Sequence, residues 1–351
     1  MASRFGISNR AQCKDQPVPG SPTVSSQQTR IWVALLIVWV VWGSTYLGIA
    51  VTVTTMPPLL ANSLRFFAAA LILATVLIIM RGPRALQITR TQLAYSALMG
   101  CALLGVGIGT LSLAERYLPS GIAALIIAIM PLWIVILRTT SGDRPSRLTL
   151  VGVAIGMGGL TLMMLPGGTT PVTGTAQDLL IWSLAMVGSS FCWAFFSWRS
   201  VRFPLPKDAL VTTTYELLAA GFMLLGIGAL TGEHFDLGAT SLPSLAGWSW
   251  LVLASVVAYT CYSWLIAHAP LSLVSTYAYV NPGVAVLLGW LILREPITSD
   301  VLLGLTLVLS GVILVTRGER GETPAPPTAA DRSTQSPQST LEHPHPGTAL
   351  P

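Results

Sequence analysis

A chain of 351 residues that is 52% hydrophobic and 9% charged, with a mean hydropathy of +0.69, is too apolar for a water-soluble domain, in which roughly 25% of residues carry charge. The net charge of +5 and pI near 9.2 would suggest a nucleic-acid partner in a soluble protein, but here the basic residues flank apolar runs, so they report membrane topology and exclude nucleic acid. Four scattered cysteines without CxxC spacing exclude a disulfide framework and a zinc site.

Residues 1–29 are polar and too long to resemble a cleaved secretory signal, which predicts a disordered cytoplasmic tail followed by a retained signal anchor. Crossing ~30 Å of hydrocarbon takes about 20 apolar residues. Such runs recur at roughly 31–52, 58–80, 92–113, 119–137 and 148–165, and again at roughly 178–198, 209–231, 247–266, 272–293 and 299–316. The fold class expected is an all-α membrane protein of ten transmembrane helices, divided as 30–166 and 177–317. Residues 318–351, rich in Pro, Ser and Thr, predict a disordered cytoplasmic tail in which His343 and His345 make no metal site.

With the N-terminus inside, 16 of the 19 basic residues fall on cytoplasmic segments, among them Arg81, Arg84, Arg90, Arg138, Arg199, Arg202 and Lys207. Only Arg116 and Arg294 fall outside, and Arg65 lies within a span. Both termini are therefore expected in the cytoplasm.

A gap-free offset of 151 pairs Trp42 with Trp193, Ser112 with Ser263, Pro119 with Pro270, Pro131 with Pro282, Pro145 with Pro296 and Arg65 with Glu216. It also lays the five apolar runs of one half on those of the other, which marks a duplication. Five is odd, so the second copy enters the membrane from the opposite face, and the expected architecture is a pair of inverted five-helix repeats. Loop charges agree: Arg81, Arg84 and Arg90 in one connector face Glu233, His234 and Asp236 in its counterpart. Inverted repeats supply the two equivalent conformations that alternating access needs.

Arg65 and Glu216 each lie ~12 Å deep in the core, where a charge costs on the order of 3 kcal/mol unless it meets water or a partner. They are the leading substrate-binding candidates: Arg65 for an anionic group, or pairing with Glu216 in one state, and Glu216 as a carrier if protons are the coupling ion. A permanent structural ion pair, or Arg65 snorkelling to the interface, is the competing explanation. Trp42, Ser44, Tyr46, Asn62, Trp193, Tyr277 and Asn281 are further candidates for lining the same cavity, although any single ring taken alone is better explained by packing or an interfacial belt. Pro131 and Pro282 free the carbonyls of Ile127 and Ala278 and are read as hinges. Glu115 with Arg116, and Arg294 with Glu295, are read as gate charges against a background of solvated interfacial pairs. The GxxxG spacings at Gly105/Gly109 and Gly152/Gly156 predict close helix approach. HExxH, GxSxG, Walker, CxxCH and acidic magnesium motifs are all missing from the sequence, so an enzyme has no motif to rest on and no cofactor is expected.

The stretches WGSTYLGIAVTVTTMPPLLANSLRFFAAALIL, ERYLPSGIAALIIAIMPLW and STYAYVNPGVAVLLGWLILREP resemble EamA-type members of the drug/metabolite transporter superfamily, nearest its YedA-like branch. The resemblance runs over roughly 31–316. It implies two EamA repeats in the inner membrane and export or exchange of small metabolites such as amino acids by secondary transport. Trp42, Gly43, Ser44, Tyr46 and Arg65 match the pattern of the first repeat, and Glu115, Pro119, Tyr279, Asn281, Pro282 and Glu295 match later motifs. The first repeat departs from it at Asp143-Arg144-Pro145, where the second has Arg294-Glu295-Pro296. The expected function is thus a secondary transporter, as monomer or homodimer. A passive channel or facilitator, and a membrane-embedded enzyme or assembly factor, are the alternatives.

Overall fold

The computed structural model describes residues 24–140, 142, 145–164, 170–236, 238–269, 274 and 277–320. Most of both tails with His343 and His345, the Asp143-Arg144 pair, Pro270 and the side chains of Ser263 and Tyr279 lie outside the described residues. Among those described, all regular structure is helical.

In the first half, α1 is Val24–Thr52 and α2 is Pro58–Arg81. Helix α3, Arg90–Ala114, carries a π-helical stretch at Gly100–Ile108, and α4, Ser120–Thr140, is broken by a turn at Ala128–Ile129. Helix α5 is Arg147–Met164. In the second half, α6 is Ala176–Ser200, α7 is Ala209–Leu230 and α8 is Leu242–His268. Helix α9, Tyr277–Leu288, runs on into a π turn at Gly289–Leu293, and α10 is Ser299–Arg320. Eight of these are long and apolar enough to cross a membrane, and α5 and α9 are shorter apolar helices.

Helix ends follow local chemistry. Pro57 and Pro58 open α2 where no backbone N–H is needed, and Gly82, at φ 80°, closes it. Thr89 with Gln92 and Thr175 with Asp178 form capping boxes at the starts of α3 and α6. Ser241 caps α8 by accepting from the Ser244 N–H at 3.2 Å, which starts that helix earlier than its apolar run does. The first helix likewise begins at Val24, several residues before the apolar run at Ile31.

Packing respects the duplication. Helices α2 and α7, α5 and α10, and α4 and α9 pack as counterparts on one another. Helix α1 packs on α8 and α9, and its counterpart α6 packs on α3 and α4; α8 leans on α2 as α3 leans on α7. Most of these helix pairs thus have a mirror under exchange of halves, as expected when two copies bury the same faces, while the contacts of α4 with α1 and α10 are not matched by equally extensive ones of α9 with α6 and α5 among the described residues. Large apolar side chains such as Leu71, Ile79, Phe222 and Leu230 remain exposed on the outside of the bundle, where lipid is the natural solvent.

Gly43 shows why small residues sit at these crossings: a Cβ there would come within 2.6 Å of Val284 Cβ and 3.2 Å of the Asn281 carbonyl, so α9 crosses α1 only over a glycine. Gly105 and Gly109 face Met223 and Leu224 of α7, consistent with a packing role.

Candidate functional site

Arg65 is buried in the bundle, 6% exposed, one turn after Asn62 on α2. Its Nε donates to Ser255 Oγ of α8 at 3.1 Å and its Nη1 to Asn62 Oδ1 at 3.1 Å. Asn62 in turn donates to Ser112 Oγ of α3 at 2.7 Å and to the Pro58 carbonyl at 2.9 Å. The chain Ser255–Arg65–Asn62–Ser112 therefore joins the two halves through one guanidinium. A guanidinium has five N–H donors, and three of them donate to no described residue. Arg65 does not snorkel, and it makes no ion pair with Glu216 in this arrangement.

Beside it stands an aromatic cluster. Trp42 lies 5.7 Å from Tyr259, 5.0 Å from Tyr262 and 5.1 Å from Tyr277 between ring centroids, and Tyr262 lies 5.8 Å from Tyr277. Such pairs contribute about 0.5–1.5 kcal/mol each beyond area burial. Tyr259 is within electrostatic range of both Arg65 and Glu216. Glu216 makes no hydrogen bond or ion pair to a described residue and is half-buried.

The remaining candidates divide. Tyr46 packs into the central core and lies within electrostatic range of Glu115 and Tyr277. Ser44 accepts from Trp250 Nε1 at 3.0 Å and so ties α1 to α8. Asn281, with its amide nitrogen set toward the Trp39 and Tyr277 carbonyls at 3.1 and 3.2 Å, fixes α9 against α1 beside Pro282. Trp193, the counterpart of Trp42, rests instead on Gly107 in the apolar cluster of Leu59, Phe66, Leu104 and Leu217. The two prolines differ in the same way: the turn at Ala128–Ile129 precedes Pro131, whereas Pro282 lies inside a continuous helix.

At one end a set of polar contacts joins the two halves. Glu295 accepts from Ser120 N at 2.8 Å, Ser120 Oγ at 3.0 Å and Gly121 N at 3.4 Å, capping the start of α4 from the other half. Glu233 does the same for α2, accepting from Leu59 N at 3.0 Å and Leu60 N at 2.9 Å. Thr54 and Thr55 bond the hydroxyl of Ser244 at 2.9 and 2.8 Å. Arg294 is exposed and takes a left-handed backbone, φ 57°, at the turn that presents Glu295. Beside these contacts opens a vestibule of about 570 Å³ lined by Val53, Glu115, Leu118, Thr173, Arg294 and Glu295. At the opposite end Arg81 pairs with Asp208, and Tyr215 donates to the Leu86 carbonyl at 2.6 Å. With one partner half exposed, that ion pair contributes little to stability.

Glu295→Gln removes the charge that holds two N–H groups of α4. The expected result is a loss of about 1 kcal/mol at that end and roughly fivefold faster maleimide labelling of a Leu118→Cys thiol in a cysteine-free background. An unchanged labelling rate would remove Glu295 from any gate.

Sequence reasoning missed Ser255, Tyr259 and Tyr262, which lie on one face of α8 at spacings of four and three residues. That S-x3-Y-x2-Y stripe on an apolar helix was the available signal. Glu233 was visible only as a loop charge.

A helical bundle of this apolarity, duplicated within one chain and carrying a charge at its centre, is an integral membrane protein. The profile of the EamA-like transporter family matches residues 30–165 and again 180–317. YedA of Escherichia coli (strain K12), an uncharacterized inner membrane transporter, is 36% identical over 82% of this chain and 90% of its own length. The transporter YoaV of Bacillus subtilis (strain 168) is 24% identical over 82% of this chain and 97% of its own, and protein PecM of Dickeya dadantii (strain 3937) is 27% identical over 78% and 88%. A solved crystal structure aligns with a TM-score of 0.58 at 19% identity, covering 85% of this chain and 99% of that one, which shows the shared fold. The chain belongs to the EamA-like transporter family, in the drug/metabolite transporter superfamily, and its relatives are transporters rather than enzymes.

Proposed function

We propose that the chain is a secondary transporter of a small metabolite with an acidic group, working by alternating access of two inverted five-helix repeats. The observation that carries this is Arg65, buried between the halves with three N–H donors unclaimed among described residues. A charge kept there at a cost of a few kcal/mol is the mark of a functional group. A planar fork of donors suits a carboxylate bound bidentately. The aromatic cluster around Trp42 supplies an apolar wall for the rest of the solute.

In this reading all ten helices cross the inner membrane, both termini are cytoplasmic, and one chain contains the whole path. Export is the direction the family resemblance favours. The helix pairs that match under exchange of halves support the inverted repeat, since such contacts have an equivalent in the opposite-facing state.

The test begins with a thermal-shift screen of the purified chain against metabolites. A solute at about 100 times its Kd stabilises the folded state by about 2.7 kcal/mol. Each hit then goes to counterflow in liposomes, where saturable exchange supports the transporter. Linear, unsaturated flux without counterflow replaces it with a facilitator, and binding without movement defeats both.

A further inference from the structure

The vestibule ends on a carboxylate that the site described so far does not use. Glu115 is the only buried acid among the described residues, 3% exposed, just beyond the apolar span Arg90–Ala114. Both carboxyl oxygens are sealed from solvent, and no described residue gives either a hydrogen bond. Yet the residue lines the vestibule on one side and lies within electrostatic range of Arg65 on the other.

The charged and titratable groups around it are few. Tyr46 faces it from α1, Arg65 from α2, and Glu295 from the connection after α9. Arg116 follows it in the chain, and Arg294 lies across the vestibule. On α6, Asp178 is engaged in its own capping box with Thr175. The first segment of α4, Ser120–Ile127, carries no titratable side chain.

An ionised carboxylate without a donor is costly in such a place. Burial first, and Glu295 second, hold the Glu115 carboxyl well above the usual carboxylate range, while Arg65 pulls the other way. Arg65 also has the unclaimed donors that an ionised neighbour needs.

We propose that Glu115 is a proton-binding site that decides whether Arg65 is open to an anionic solute. With the proton on, the carboxyl is neutral and Arg65 keeps its free donors. When the side chain swings its carboxyl into the vestibule, the O–H bond breaks and the proton leaves to water there; the carboxylate then turns back to Arg65 and takes those donors. Proton and solute carboxylate therefore bind with positive linkage, each raising the affinity for the other. The inference rests on the reading of Arg65 as the anion site.

The test is infrared spectroscopy of the full-length chain across a pH series. Wild type is expected to show at neutral pH the carbonyl stretch of a protonated carboxylic acid, lost on alkalinisation and missing from Glu115→Gln. In Arg65→Gln the alkaline midpoint is expected to rise by about one pH unit or more, because an attracting cation is gone. If Arg65→Gln does not fold, Arg65→Lys, with its shorter reach, is expected to move the midpoint the same way by less. A band that persists whole in Glu115→Gln, or a midpoint that stays put in the folded Arg65 variant, overturns the proposal. Solute binding that requires Arg65 but ignores pH leaves the anion site standing and removes the proton site alone.

Discussion

Arg65→Ala is expected to abolish solute-induced stabilisation and counterflow while the protein still inserts and folds. Two charge-assisted hydrogen bonds to a solute carboxylate contribute about 1.5 kcal/mol each, so their loss weakens binding by about 3 kcal/mol, or roughly 150-fold. The fold survives because the substitution removes a buried charge along with its bonds to Ser255 and Asn62, and the two effects oppose each other. Arg65→Lys keeps the charge without the fork and is expected to fall between. Counterflow at the wild-type rate in Arg65→Ala liposomes would mean that the anion site lies elsewhere.

The second large effect concerns the crossing of α5 and α10. A Cβ on Gly311 would come within 2.6 Å of both the Gly152 carbonyl oxygen and the Gly156 nitrogen. Those are backbone atoms, which cannot rotate aside as a side chain does, so Gly311→Leu is expected to destabilise by about 3 kcal/mol and to lower the thermal midpoint clearly. Gly226, on α7, has nothing within 4 Å of its would-be Cβ. Gly226→Ala is therefore expected to leave the midpoint unchanged or raise it through better helix propensity, by up to about 1 kcal/mol. Equal midpoints for the two variants would show that the crossing tolerates separation.

The candidate site was legible where a single residue breaks a local rule. Arg65 declares itself as a charge in an apolar run, and Gly152 and Gly156 as small residues one turn apart. Several of the helices that the repeat offset pairs also pack on one another, such as α2 with α7 and α5 with α10. It was a poor guide to role. Trp42 and Trp193 align, yet one stands among tyrosines and the other on Gly107, because each copy has acquired different neighbours. Glu115 and Glu295 read alike as gate charges, but one is sealed without a donor and the other caps α4.

Hydropathy, helix signals and the internal repeat determined by themselves that this is a duplicated helical membrane protein, since all of them are written in the order of residues along the chain. The tertiary structure alone decided that Ser255, 190 positions from Arg65, shares its guanidinium, that Tyr259 comes within electrostatic range of both Arg65 and Glu216, and that Glu115 takes no hydrogen bond from a described residue. The reason is physical: the cost of a buried charge is local and can be read from its sequence surroundings, whereas the partner that offsets it is set by which helix faces meet.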